Sequence, residues 1–209
     1  MQARKNTKLA TIIKQSNLVI PDGSSIILSL KLINIKIARL PGIELAYQLL
    51  QKSASNNLKV ALIGAKPEVL DLTKKNLNSE ITNLNIIYSH DGYFDEIEEA
   101  RFMSELQSLR PQLVLVALGV PRQEYFINKW SPNFEGTIFV GVGGSFDVWA
   151  KVVNRAPKFF CDFHLEWFYR LIKEPWRFNR MVNSLPIFMS LVLAEFITKG
   201  KKAYLYTDN

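Results

Sequence analysis

Three stretches of the chain are almost continuously apolar, and each has a glycine at or next to its end. They cover residues 59–64 (KVALIG), 113–119 (LVLVALG) and 137–142 (TIFVGV). Because these runs lack the polar alternation of a sheet with one wet face, they predict parallel strands covered by helices on both sides. A shorter run at residues 17–20, ahead of the sequence PDG at 21–23, is a further strand candidate.

Helical periodicity fills the intervals between these strands. Residues 67–76 carry proline in their first turn, and residues 95–109 place four apolar side chains on one stripe, namely Ile97, Phe102, Leu106 and Leu109. Strands that alternate with helices through short connections predict an open, doubly wound, Rossmann-like α/β fold with a mostly parallel sheet. In such a fold the ligand binds at the carboxyl ends of the strands, so the candidate site lies in the loops that follow them.

The last quarter of the chain has a different character. Residues 158–199 mix aromatic side chains with arginine and lysine, and Pro175 and Pro186 divide them into two or three predicted helices. We therefore expect an α/β domain over residues 1–157 and a basic, aromatic helical appendage over residues 158–209.

Charge is distributed unevenly along the 209 residues. The net charge of +7 consists of +6 over residues 1–40, −4 over residues 41–150 and +5 over the remainder. Basic ends indicate an anionic partner (a nucleic acid, a lipid surface or a phosphorylated substrate), or else they serve solubility alone. No helix-turn-helix, RNP-like strand or zinc-finger spacing supports a nucleic acid. The apolar stretch at 185–197 would reach about 20 Å as a helix, which is too short to span a bilayer.

Several classes of site are disfavoured by the residues present. The single cysteine, Cys161, excludes an intramolecular disulfide framework and a multi-cysteine zinc site. His90 and His164 do not occur in an HExxH-like spacing, and we expect no metal. The sequence has no G-x-S-x-G elbow, and its GVGGSFD segment matches neither GxGxxG nor the Walker pattern.

Three loops at predicted strand ends contain candidate chemistry. Asp22 either shapes a turn or presents a carboxylate that accepts a proton from a substrate hydroxyl. In GVPRQE, Gln123 offers an amide to a sugar hydroxyl or a base edge, whereas Glu124 suits the positive end of a helix. In GVGGSFD, Gly143 and Gly144 either allow close backbone approach to a phosphate or simply permit a tight turn.

In their order along the chain, these segments resemble the WecG/TagA/CpsF family of bacterial glycosyltransferases. The resemblance rests on LVIPDG, ARLPG, VALIGA, DGYF, ALGVPRQE, GVGGSFDVWA, RAP and LEWFYRLIKEPWRFNRM, and runs from about residue 9 to residue 190. It implies an inverting transferase that moves N-acetylmannosamine, or a related hexose, from a UDP-sugar to polyprenyl-diphosphate-linked N-acetylglucosamine. Such a reaction serves the biosynthesis of cell-surface polysaccharides of the teichoic-acid type. The alternative is a catalytically impaired member that binds nucleotide sugar or membrane.

The resemblance also implies roles for individual residues. Asp22 corresponds to the family's proposed general base, and Gln123 to the glutamine of its GxPxQE block. Further candidate substrate-binding residues are Arg39, Glu124, Gly143, Gly144, Asp147, Arg155, Arg170, Arg177 and Arg180. The family is described as needing no metal, and we expect no cofactor. Arginines would then stabilise the departing UDP, because guanidinium groups match diphosphate oxygens.

Location and partners follow from the same resemblance. The implied partners are the UDP-sugar donor, the polyprenyl-diphosphate-linked acceptor and an anionic membrane surface, with no nucleic acid. Assembly into a homo-oligomer is a further possibility. The implied location is cytoplasmic, peripherally attached to the inner face of a bacterial membrane, or stromal if the gene is organellar. Family members usually carry another β–α stretch ahead of the PDG segment. Only 21 residues precede Asp22, so we expect this stretch to be missing.

Overall fold

The computed structural model describes most of the chain in two compact units. The described residues are 2–23, 27, 30–31, 35, 37, 40–153, 187–188, 190–194 and 196–198. The larger unit comprises Asn6–Leu18 and Gly42–Arg155, and it contains the sheet. The smaller unit comprises the described residues of 1–5, 19–41 and 156–209.

Four parallel strands form the sheet of the larger unit, in the order β2-β1-β3-β4. They are β1 Lys59–Gly64, β2 Asn85–His90, β3 Leu113–Ala117 and β4 Ile138–Gly141. β1 and β3 pair from Val60 with Leu113 to Gly64 with Ala117, which brings their carboxyl ends level. The chain leaves β1 toward one edge of the sheet and β3 toward the other. A topological switch point, where α/β sheets bind ligands, therefore lies between these two ends.

Helices cover both faces of this sheet. In chain order, α1 Gln2–Lys5 belongs to the smaller unit, and the larger unit contains α2 Thr7–Gln15, α3 Gly42–Ser55, α4 Pro67–Glu80, α5 Glu96–Leu109, α6 Arg122–Trp130, the 3₁₀ turn Ser131–Asn133, and α7 Ser145–Trp149. Side chains of α3, α4 and α7 pack in the core on one face, and those of α5 and α6 pack on the other. α2 lies against α6 and buries Leu9 and Ile12.

Side chains of β1 alternate between the two cores. Val60 and Leu62 contribute to the core beneath α3 and α4, and Ala61 and Ile63 to the core beneath α5 and α6. All four side chains are fully buried. Because both faces of the strand are dry, its sequence is continuously apolar, as a central parallel strand requires. The predicted α/β fold with a parallel sheet between two helical layers is confirmed.

Most of the predicted elements of the larger unit are confirmed. β1 has the predicted limits, β3 stops two residues earlier than predicted, and β4 is one residue shorter at each end. The helix predicted from residue 67 extends to Glu80 rather than residue 76. The helix predicted from residue 95 begins at Glu96, because Asp95 is its N-cap and accepts a hydrogen bond from the backbone N–H of Glu98 at 2.8 Å.

Two predictions about apolar residues are wrong. Residues 17–20 form no strand; Leu18 and Val19 are 70% and 62% exposed and do not belong to either core. Ile97, expected on the buried stripe of α5, is 82% exposed, and Met103 is buried beside Phe102 instead. An apolar run without a covering layer on each side does not have the environment of a parallel strand.

The C-terminal predictions fall mostly on residues outside the described part of the chain. The helices expected over residues 158–186 lie there, and the division of the chain after residue 157 stays a prediction. The described residues among 187–198 are helical. Within the described ranges, we find no helix with both the length and the apolar character needed to cross a membrane.

Candidate functional site

The loop after β3 turns directly into the first turn of α6. Gly119 has a φ of +75°, in the left-handed region that favours glycine, and its carbonyl accepts a hydrogen bond from the backbone N–H of Gln123 at 2.9 Å. Arg122, Gln123 and Glu124 therefore lie in sequence at the carboxyl edge of the sheet, in the first turn of α6. Parallel sheets bind ligands at this edge.

Gln123 links this turn to the loop that follows β4. Its side chain is buried; Oε1 accepts a hydrogen bond from the Gly143 N–H at 3.0 Å, and Nε2 donates to Glu124 Oε1 at 2.9 Å. The two bonds define the orientation of the amide, because a backbone N–H only donates and a carboxylate only accepts. A Cβ at Gly141 would lie 2.7 Å from Gln123 Nε2, so glycine at 141 makes room for the amide.

Glu124 contains a buried oxygen that is not hydrogen-bonded. Its Oε1 is held by Gln123, whereas Oε2 is buried and has no hydrogen-bond partner in the structure as described. A buried carboxylate oxygen without a donor is energetically unfavourable, and native proteins usually satisfy such an atom with water or a ligand. A water molecule or a ligand hydroxyl at this atom would supply the missing donor.

The glycine-rich turn after β4 leads into α7. Gly143 has a φ of +52°, and its N–H is the group that bonds to Gln123. Gly144 precedes α7, and the site of a Cβ there would be 3.6 Å from Asp147 Oδ2. Ser145 is buried, and its hydroxyl donates to the carbonyl of Val142 at 2.7 Å. The turn is thus held by its own polar groups as well as by Gln123.

Two side chains of α4 donate hydrogen bonds to backbone carbonyls of α7. Thr73, fully buried, donates its hydroxyl to the carbonyl of Phe146 at 3.0 Å, and Asn76 donates its amide to the carbonyl of Trp149 at 2.7 Å. Sequence reasoning missed both residues. The only signal was a pair of polar side chains, three residues apart, on a helix whose other inward residues are apolar.

A pocket of about 520 Å³ opens beside the carboxyl end of β2. Its lining residues are Gly92, Tyr93, Phe94, Asp95, Glu98 and Arg122. Tyr93 is 66% exposed. The neighbouring His90 stacks on Phe102, with 4.1 Å between ring centroids, and its Nε2 lies 3.6 Å from Glu98 Oε1. Among the described residues, no three potential metal ligands converge.

Among the titratable groups of the described residues, Tyr88 on β2 has the clearest shift in pKa. Burial, together with the Glu105 carboxylate that accepts a hydrogen bond from its hydroxyl at 3.2 Å, raises the pKa of Tyr88 to about 12. Its phenol therefore stays protonated at physiological pH. Tyr88 is accordingly no candidate for proton transfer.

The predicted site residues fall into three groups. Gln123, Glu124, Gly143, Gly144 and Asp147 come together at the carboxyl ends of β3 and β4. Asp22 lies in the smaller unit, where it is exposed and its backbone N–H donates to the carbonyl of Ile20 at 3.1 Å. The arginines of the prediction lie outside the described residues, namely Arg39, Arg155, Arg170, Arg177 and Arg180.

Comparison with known proteins decides the family. A sequence profile described as "Glycosyl transferase WecG/TagA/CpsF family" matches residues 1–202. The chain belongs to this family. The predicted family is thereby confirmed, and the protein is a glycosyltransferase.

Two relatives of this WecG/TagA/CpsF protein come from Bacillus. Both are named N-acetylglucosaminyldiphosphoundecaprenol N-acetyl-beta-D-mannosaminyltransferase. The protein from Bacillus spizizenii (strain W23) is 34% identical over 204 residues, which cover 97% of this chain and 78% of the relative. The protein from Bacillus subtilis (strain 168) is 34% identical over 203 residues, which cover 97% of this chain and 77% of the relative.

Proposed function

We propose that this family member transfers N-acetylmannosamine, or a related hexose, from a UDP-sugar to polyprenyl-diphosphate-linked N-acetylglucosamine. The observation that carries this proposal is 34% identity, over 97% of the chain, to two enzymes named for that reaction. The acceptor hydroxyl attacks the anomeric carbon, UDP leaves from the opposite side, and the hydroxyl proton passes to a base. The product is a β-linked lipid disaccharide for cell-surface polysaccharide.

The strand ends of the larger unit support a donor site. Nucleotides bind at the carboxyl edge of doubly wound sheets, beside the switch point. Here this edge carries the bonded pair Gln123 and Glu124, the glycine turn at Gly143, and an exposed aromatic face at Tyr93. We assign the unsatisfied Oε2 of Glu124 to a hydroxyl of the donor sugar, because a carboxylate accepts strongly from a hydroxyl.

The remaining roles in this proposal come from the family resemblance. Asp22 is the general base for the acceptor hydroxyl. The arginines outside the described residues, Arg39, Arg155, Arg170, Arg177 and Arg180, stabilise the charge that develops on the diphosphate as it leaves. Electrostatic stabilisation of a leaving group by fixed donors contributes strongly to catalysis in a site closed to water.

Turnover of the wild-type protein and of Gln123→Leu tests the proposed function. With UDP-N-acetylmannosamine and a short-chain prenyl-diphosphate N-acetylglucosamine, we expect the wild type to release UDP. Gln123→Leu leaves the Gly143 N–H without its acceptor and Glu124 Oε1 without its donor. Each unpaired group costs about 1–3 kcal/mol of local stability, and because the glycine turn loses its link to α6 we expect kcat/KM to fall at least about 10-fold.

The matched control is Gln107→Leu, which removes the same amide from an exposed position on α5, away from the strand ends. It should turn over like the wild type. UDP-sugar binding without any turnover would instead support the catalytically impaired alternative. Tight, salt-sensitive binding of nucleic acid with no affinity for UDP would contradict both.

We also propose that the basic C-terminal segment attaches the protein reversibly to the membrane that holds the acceptor. Near an anionic bilayer each arginine contributes about 1 kcal/mol, so a variant with Arg170→Gln, Arg177→Gln and Arg180→Gln should bind anionic vesicles roughly 100-fold more weakly. Flotation with vesicles of phosphatidylglycerol and phosphatidylcholine measures the partitioning.

The control for this triple variant removes three positive charges from the larger unit. It carries Lys52→Gln, Lys74→Gln and Lys75→Gln, at exposed or partly exposed positions. If both triple variants lost the same affinity for anionic vesicles, the proposed attachment through the C-terminal arginines would be overturned.

A further inference from the structure

An arginine stands at an unusual place in the larger unit. Arg122 is the first residue of α6, where the helix dipole is positive and acidic side chains are favoured. It projects into the pocket beside β2 and lies next in sequence to Gln123. A cation that is electrostatically disfavoured by its own helix calls for a compensating interaction.

Two contacts orient the guanidinium of Arg122, an exposed residue. One Nη donates a hydrogen bond to the carbonyl of Gly92 at 2.7 Å, and the guanidinium carbon lies 4.7 Å from the centroid of the Phe94 ring. These contacts use one N–H and one face of a group that has five N–H donors. Within the described residues, no carboxylate lies within ion-pair distance of it. The remaining N–H donors have no anionic partner in the part of the chain that the structure describes.

The two acidic side chains of the pocket have other partners. Asp95 Oδ1 accepts a hydrogen bond from the backbone N–H of Glu98 at 2.8 Å, as the N-cap of α5. The Glu98 carboxylate lies 3.6 Å from His90 Nε2 and 4.0 Å from Arg101. The positive charge of Arg122 therefore stays available to a ligand.

We propose that Arg122 binds the diphosphate of the nucleotide-sugar donor, an inference that rests on the proposed function. The planar guanidinium matches two phosphate oxygens at once, and a side chain already held in place loses little conformational entropy on binding. The carbonyl of Gly92 and the ring of Phe94 act as its supports. A diphosphate bound by Arg122 lies at the carboxyl edge of the sheet. Arg122 immediately precedes Gln123 in the sequence.

Paired titrations with UDP and uridine test this assignment. Arg122→Gln keeps much of the length of the side chain and removes its charge, and we expect a Kd for UDP that rises about 10- to 100-fold, the range for charge-assisted hydrogen bonds. The Kd for uridine should stay unchanged, since uridine has no phosphate. Arg122→Lys should fall between the wild type and Arg122→Gln for UDP. Chemical-shift titration by NMR measures both ligands, including millimolar affinities.

The outcomes separate three possibilities. If Arg122 only ties two loops together, Arg122→Gln weakens UDP and uridine by the same factor and the proposal is overturned; an unchanged Kd for UDP overturns it as well. Arg101→Gln removes the same charge from an exposed position near the pocket, and it should bind UDP like the wild type. A wild-type protein that binds neither UDP nor uridine would overturn the proposed donor and, with it, the role of Arg122.

Discussion

Asp22→Asn should lower the turnover of the transferase about 10²- to 10⁴-fold, the usual contribution of a general base. The asparagine is nearly isosteric, but its amide cannot take the proton of the acceptor hydroxyl. Asp22 is exposed in the smaller unit and asparagine has nearly the same shape, so the fold should be retained. Steady-state release of UDP measures turnover, and titration with UDP shows that donor binding survives.

The control for Asp22 is Asp71→Asn, a carboxylate on α4 whose side chain is 79% exposed. It changes the net charge by the same amount and should leave turnover unaltered. Near-wild-type turnover of Asp22→Asn, in a preparation where the wild type is active, would leave Asp22 with the role of a turn residue only.

Gly64→Ala should destabilise the larger unit by about 2–6 kcal/mol, the sum of backbone strain and overpacking. Gly64 ends β1 with a φ of +120°, and a Cβ there would overlap the backbone of Ala117, 2.5 Å from its carbonyl carbon. Backbone atoms of a paired strand cannot move aside as the tip of a side chain can. Urea unfolding followed by circular dichroism should show a large decrease in the midpoint concentration.

Gly136→Ala separates the two contributions at Gly64. Gly136 also has a positive φ, +75°, but nothing lies within 4 Å of where its Cβ would be. Its substitution should cost only the backbone term, about 1–2 kcal/mol. If both variants lost the same stability, contact with Ala117 would not be the reason that residue 64 is glycine.

The central strands could be predicted because burial on both faces requires an almost continuous run of apolar residues. β1 and β3 are buried on both faces, so their residues are uniformly apolar and the runs stand out. β2 lies at one edge of the described sheet, its six residues are partly exposed, and it contains Asn85, Ser89 and His90. Such a mixed strand shows neither a continuous run nor strict alternation, and the sequence did not predict it.

The loops of the candidate site could be predicted, but their contacts could not. GVPRQE and GVGGSFD follow strands, which marked them for attention. Gln123 and Gly143 are 20 residues apart, and their hydrogen bond depends on β3 and β4 being neighbours. Glycine at position 141 is explained by the Gln123 amide, which occupies the space that a Cβ would need. Ile97 shows the opposite error, because periodicity alone does not reveal which apolar residues of α5 the rest of the fold covers.

The hydrogen bonds from α4 to α7 make the candidate site depend on residues outside its loops. Thr73 and Asn76 lie on a helix of the outer layer, yet each holds a carbonyl of the helix that follows the glycine turn. A substitution of either residue by an apolar one leaves a carbonyl of α7 without its donor. Substitutions on α4 can therefore displace α7 and the glycine turn without changing any residue of the loop itself.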